Sequence, residues 1–173
     1  LLTFVGTKVR RIFVITLYLI YVSGFKIGVN MRQITRRLKP GQLLKESIIQ
    51  LVEEEQITAG VIVAAVGGLE NANLRVSKFE SGEHPNVTID GPLELVSCMG
   101  TLFSQGCHLH VSVSDRSGQC YGGHLKDGCK VFVTIELVVL VFDDVIYNRM
   151  LDNETGFDEL SPVPAGEMNM LAN

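Results

Sequence analysis

The chain has no tryptophan, few aromatic residues of any kind, and no acidic residue in its first 40 positions. It has four cysteines, Cys98, Cys107, Cys120 and Cys129, and none are spaced C-x-x-C, which argues against a zinc ribbon or a thioredoxin-like site. They sit among strand-like residues and read as reduced, small core fillers of an intracellular protein. No apolar run approaches the ~20 residues that cross a bilayer as a helix. No internal repeat or low-complexity tract occurs. What remains is a chain of 173 residues, 46% hydrophobic and 20% charged, long enough for one domain with tails and a core that needs no covalent staples.

Charge is unevenly spread. Residues 1–40 carry eight of the 15 basic residues, so residues 41–173 hold 7 basic and all 19 acidic ones, a net charge of −12. A surface this acidic repels phosphate over most of its area, which counts against nucleic acid as a partner. A basic patch over Arg32 to Lys39 reads first as the solvated face of an opening strand.

Residues 1–30 stand apart. Lys8-Val9-Arg10-Arg11 precedes an apolar run of eleven residues, Ile12 to Val22, the length of a signal-peptide core, with Val22-Ser23-Gly24 as a tolerable cleavage site. Met31-Arg32-Gln33 reads as a natural start. The expectation is therefore an extension over 1–30 foreign to the fold, a domain over 31–145 and a flexible acidic tail over 146–173. The protein is expected in the cytoplasm, with the nucleus left open and secretion implied if 1–30 acts as a signal. No membrane partner is expected.

The most informative stretch is Cys107 to Val139, which holds three of the four histidines. His108 to Ser114 alternates, so His108, His110, Ser112 and Ser114 share one strand face and Leu109, Val111 and Val113 the other. Asp115-Arg116-Ser117-Gly118 is turn chemistry, after which Gln119 to Leu125 can return. Loop length decides the third histidine. A two-residue loop, Ser117-Gly118, sets His124 opposite Val111, on the wrong face. A three-residue loop, Arg116-Ser117-Gly118, sets His124 opposite His110, with Gly118 at the left-handed position that such a loop requires. A bulge at Gly122-Gly123 would change this parity. In the three-residue register, His108, His110 and His124 gather as three imidazoles with one open coordination position, which suits Zn²⁺. The competing reading is a solvated polar strand face.

His84, in the loop Glu83-His84-Pro85, reads as an exposed turn residue. Glu136 falls in the apolar run Val131 to Phe142, where a carboxylate needs a partner. It is a candidate catalytic base, an acceptor behind a metal-bound imidazole, or a subunit-interface hydrogen-bond group.

For the rest, Gln33 to Leu38 reads as a strand and Leu43 to Gln56 as a helix, from Leu44, Ile48, Leu51, Val52 and Glu55. Ile57 to Val66, Asn73 to Phe79, Val87 to Asp90, Leu93 to Phe103 and Lys130 to Asp143 read as further strands. The fold class is α+β (α/β): a mostly antiparallel sheet of about seven strands with one or two packed helices.

Seven motifs occur in one order: Arg37-Leu38-Lys39-Pro40-Gly41, Ala64 to Leu69 (AAVGGL), Gly91-Pro92-Leu93-Glu94-Leu95, His108-Leu109-His110-Val111-Ser112, Gly122-Gly123-His124-Leu125, Asp127-Gly128-Cys129 and Thr134-Ile135-Glu136-Leu137-Val138. Over roughly residues 32–145 the chain resembles the PPC domain (plants and prokaryotes conserved) in its single-domain, prokaryote-type form. The resemblance implies a compact homotrimer with a histidine metal site at His108, His110 and His124. It also carries a DNA-binding, regulatory alternative that belongs mainly to the plant branch, whose AT-hook core, Arg-Gly-Arg-Pro, is missing from this chain. The expected ligands are zinc and a small molecule, and no substrate is named.

Overall fold

The structure, a computed structural model, describes residues 30–77 and 84–166. The extension over 1–29, the end of the strand expected to reach Phe79 and residues 167–173 lie outside the described residues. Among the described residues eight strands and one helix follow in order: β1 (Met31–Leu38), α1 (Leu44–Glu54), β2 (Ala59–Arg75), β3 (Asn86–Phe103), β4 (Gly106–Ser114), β5 (Cys120–Leu125), β6 (Val131–Phe142), β7 (Val145–Leu151) and β8 (Asp158–Pro164). The first six make one antiparallel sheet in the order β1-β6-β2-β3-β4-β5, and β7 and β8 pair separately.

The sheet curls far enough for β5 to pair also with the end of β2, through Leu74 opposite Leu125 and Arg75 opposite His124. The long strands make this possible. Sequence punctuation suggests breaks at Gly67-Gly68 and Gly91-Pro92, yet β2 and β3 run through both, shifting register at bulges instead. Bulges bend a strand and increase its twist. At Gly67 (φ 151°) a Cβ would stand 1.9 Å from the Thr134 carbonyl oxygen, so only glycine lets β2 and β6 approach there.

The helix forms where its periodicity predicts. Leu44, Ile48, Leu51 and Val52 are buried, and they join Leu109, Val111 and Val113 of β4 and Val131, Ile135, Leu137, Val139 and Val141 of β6 in one core. Glu54 and Glu55, which face the unfavourable end of the helix dipole, are matched by β1. Arg36 pairs with Glu54 at 3.2 Å and Glu55 at 3.3 Å, and Arg32 pairs with Glu55 at 3.4 Å and Asp143 at 3.2 Å. The basic run of β1 is thereby partly neutralised.

The flexible acidic tail expected over 146–173 is corrected for 146–166: Val145 to Pro164 form a hairpin. Its turn is built by Asp152, whose carboxylate accepts from the Glu154 and Thr155 amides at 2.7 and 3.1 Å, with Gly156 in the left-handed region (φ 73°). Pro162 and Pro164 are tolerated because β8 is an edge strand. The hairpin docks on the domain through the Tyr147 amide, which donates to Thr58 O at 3.0 Å, and through Arg149, which donates to Thr101 Oγ1 at 3.1 Å and lies 4.9 Å over the Phe103 ring.

All four cysteines are free thiols. Cys98 and Cys129 are core residues as expected, but Cys120 is exposed. Among the described residues no helix is long and apolar enough to cross a membrane.

Candidate metal centre

The turn after β4 sets the site. The Asp115 amide donates to Gln119 O and the Gly118 amide to Asp115 O, each at 3.0 Å, and Gly118 adopts φ 82°. This is the three-residue loop with a left-handed third position. The Asp115 carboxylate ties it further, accepting from the Ser117 hydroxyl at 2.6 Å, the Ser117 amide at 2.8 Å and the Gln119 amide at 3.0 Å. These bonds, that of the Ser117 hydroxyl foremost, hold the Asp115 carboxyl below the usual carboxylate range. The register that results pairs Ser114 with Cys120 and His110 with His124, and Gly122-Gly123 continue the ladder without a bulge.

His108, His110 and His124 therefore converge. Their ring centroids are 5.3, 5.1 and 5.5 Å apart pairwise, and one nitrogen from each lies within 4.8 Å of the others. Two nitrogens on one tetrahedral zinc stand ~3.3 Å apart, so small ring rotations would bring these three into range. The donor set fits on a further count: His124 Nδ1 is buried and has no hydrogen-bond partner. Burial, and then the Arg75 guanidinium, pushes the His124 imidazole down to about 4; burial, and then Arg149, lowers that of His108. Both rings are neutral near pH 7, with lone pairs free to coordinate.

The other candidates are not brought to this cluster. Glu136 is exposed, opposite Arg37 of β1 and Val66 of β2, with no buried-carboxylate environment. From Val66 to Arg75, the residue opposite His124, there are nine residues of β2, ~30 Å of strand path. Within one chain Glu136 is thus no acceptor behind these imidazoles. His84 is exposed, as expected, but it stands in the wall of the adjoining cavity, edge-on to Phe157 with centroids 6.5 Å apart. Cys107 packs against the core, and burial raises its thiol to about 11, so it is a poor thiolate ligand.

Two functional candidates escaped the sequence reading. Arg75 reaches the site only through the long-range β2–β5 pairing, which no local signal marks. Arg149 lies on the hairpin hidden in the supposed tail. Turn chemistry at Asp152 to Gly156, between the apolar stretches Val145-Ile146-Tyr147 and Leu160 to Val163, was the available clue.

The sequence profile of the Plants and Prokaryotes Conserved (PCC) domain matches residues 26–143. A Salmonella enterica protein described as hypothetical is 32% identical, with a TM-score of 0.74, over 80% of this chain and 97% of that one. A protein of Archaeoglobus fulgidus described as metal-containing is 29% identical, with a TM-score of 0.67, over 79% of this chain and 97% of that one. Among curated proteins, bifunctional protein GlmU of a Synechococcus strain is 37% identical over 128 residues, 74% of this chain and 20% of that protein. The chain thus spans about a fifth of the length of the curated relatives it matches.

Proposed function

The chain belongs to the Plants and Prokaryotes Conserved (PCC) domain family, and on that premise we propose that it is a metal-binding protein, with zinc held by His108, His110 and His124, that works as a homotrimer on a small molecule. The observation that carries the reading is the convergence of three imidazole nitrogens within 4.8 Å around a buried, unpartnered His124 Nδ1. The metal-containing description of the Archaeoglobus relative supports it. Zinc held by three imidazoles supplies Lewis acidity toward a fourth ligand. The chain's own part would be to present the imidazoles, fix their register through the Asp115 turn, and wall the cavity beside them with the β7–β8 hairpin.

The trimer accounts for a second feature. Val63 and Val66 of β2, Val96 and Met99 of β3, and Phe132 and Val133 of β6 are 47–65% exposed on the central strands of the sheet. Apolar side chains gathered in this way mark a face that another surface covers, and a second copy of the chain is the occupant that the trimer requires. Glu136, beside Val66, is then an interface carboxylate.

The test is metal analysis of the full chain purified without a histidine tag, alongside light scattering. One zinc per chain, and a particle three times the 19.0 kDa chain mass, are expected. A metal-free protein that takes up no zinc on dialysis overturns the metal assignment, and a monomer overturns the trimer.

A further inference from the structure

The histidine cluster opens into a cavity of about 360 Å³ whose walls include Arg75, His108, His124 and Arg149, within the range of small-ligand sites. The two arginines flank the cluster from opposite directions. Arg75 stands directly across the β2–β5 ladder from His124. Arg149 donates to the hydroxyl of Thr101, the residue directly across the β3–β4 ladder from His108. Arg149 is further set by its stacking on Phe103 at 4.9 Å.

Among the described residues neither guanidinium forms an ion pair, in contrast to Arg32 and Arg36. Asp158 and Glu159 also border the cavity. The Glu159 carboxylate accepts from the Thr155 hydroxyl at 3.0 Å, within its own hairpin. Imidazole ligands bring no negative charge to offset a divalent cation, and Arg75 and Arg149 balance Asp158 and Glu159, so the loaded site keeps the positive charge of the cation. A positive, partly enclosed site of this kind favours an anion, and planar guanidinium forks match carboxylate and phosphate oxygens.

We propose that this cavity binds a small oxyanion, the carboxylate or phosphate group of the ligand, between Arg75 and Arg149 beside the metal. The inference rests on the histidine site being a metal site, and it specifies the ligand class of that site. Arg75 and Arg149 are its anion-binding residues, and the β7–β8 hairpin supplies one of them.

The test is calorimetric titration of the zinc-loaded full chain with pyruvate, with inorganic phosphate and with pyruvamide, the neutral counterpart of pyruvate. Zinc content is measured on every sample. Saturable binding of pyruvate or phosphate at one per chain is expected, and whichever binds tells a carboxylate site from a phosphate site; pyruvamide should not bind. Arg75→Gln and Arg149→Gln should each weaken the anion tenfold or more at unchanged zinc content. Arg75→Lys and Arg149→Lys, which keep the charge, should retain most of the binding and guard against a loss caused by misfolding.

Binding of neither anion, equal binding of pyruvamide, or wild-type affinity in both Gln variants overturns the inference. If the chain takes up no zinc, the metal reading fails separately, and the same titrations on the metal-free chain decide. Arginine-dependent anion binding then upholds the oxyanion site, and its absence overturns it.

Discussion

Truncating His110 should separate the site from the fold. His110 lies on the exposed face of β4, opposite Met99 on one side and His124 on the other, and Met99 is itself 65% exposed. Its removal leaves no cavity, so His110→Ala should change the stability of the metal-free protein by less than about 0.5 kcal/mol. The next residue gives the contrast. Leu109 is 2% exposed in the core, and Leu109→Ala should cost ~2–5 kcal/mol. Metal binding reverses the order. With free zinc at a hundred times its dissociation constant, a ligand that binds only the folded chain stabilises it by ~2.7 kcal/mol. For a chain of this size each kcal/mol moves the melting temperature by ~3 °C, so zinc should raise it by ~8 °C. Two imidazoles bind zinc far more weakly. If the affinity falls a hundredfold, the gain at the same zinc concentration drops to ~0.4 kcal/mol, or ~1 °C.

The assay is differential scanning fluorimetry at fixed protein concentration, with and without zinc. Leu109→Ala should melt early yet still respond to zinc. His110→Ala should melt like wild type without zinc and respond little. A full zinc response in His110→Ala, or none in wild type, refutes the assignment of His110 as a ligand. His84→Ala should respond like wild type.

Other outcomes follow from close contacts, titration and charge. At Gly100 (φ 149°) a Cβ would stand 1.9 Å from the His108 carbonyl oxygen, so Gly100→Ala should cost ~3 kcal/mol or more and also blunt the zinc response by displacing β4; Gly118→Ala, with nothing within 4 Å, should cost only the ~1 kcal/mol of a left-handed alanine. Because the folded-state value of His124 lies near 4 and its unfolded value near 6.5, the unfolded chain binds more protons in that window. The metal-free protein should therefore lose stability as pH falls from about 6.5 toward 4, as denaturant midpoints would read, and His124→Gln should flatten the slope. Cys98, raised by burial to about 12, acts at the other extreme: the folded chain holds its proton longer, so stability should fall as pH rises above about 9. Duplex DNA should bind residues 31–173 with a dissociation constant of ~10⁻⁴ M or weaker at physiological salt; sequence-selective nanomolar binding by fluorescence anisotropy would refute the charge argument.

What the sequence made legible is what local physics controls. Alternation placed Leu109, Val111 and Val113 in the core and the histidines on the other face, and the 3.6-residue period placed Leu44, Ile48, Leu51 and Val52. The register of His124 followed from the conformation that Gly118 permits, a three-residue decision made entirely within the turn. Where glycine and proline suggested breaks, the strands continue: at Gly67-Gly68 neighbours on both sides of β2 supply hydrogen bonds that outweigh the local preference, and at Gly91-Pro92 β3 passes through a register shift that leaves both residues outside the ladder.

Contacts between distant parts of the chain were not legible. Glu136 looked buried because its strand is apolar, but from Ile135 onward β6 alternates, and the glutamate falls on the exposed side. Arg75 and His124 are 49 positions apart, and only the curl of the sheet sets them face to face. The hairpin was hidden by its acids and prolines, which mark disorder when nothing pairs with them, yet an edge strand tolerates both. The same long-range closure governs the chemistry. A flat sheet would leave the three imidazoles on an open surface, freely hydrated. Pairing of β5 with β2, and docking of the hairpin through Arg149, bring two guanidiniums and a wall to that surface. A partly dried pocket strengthens every charge interaction inside it, so the curl of the sheet turns a row of histidines into a site able to select its ligand by charge.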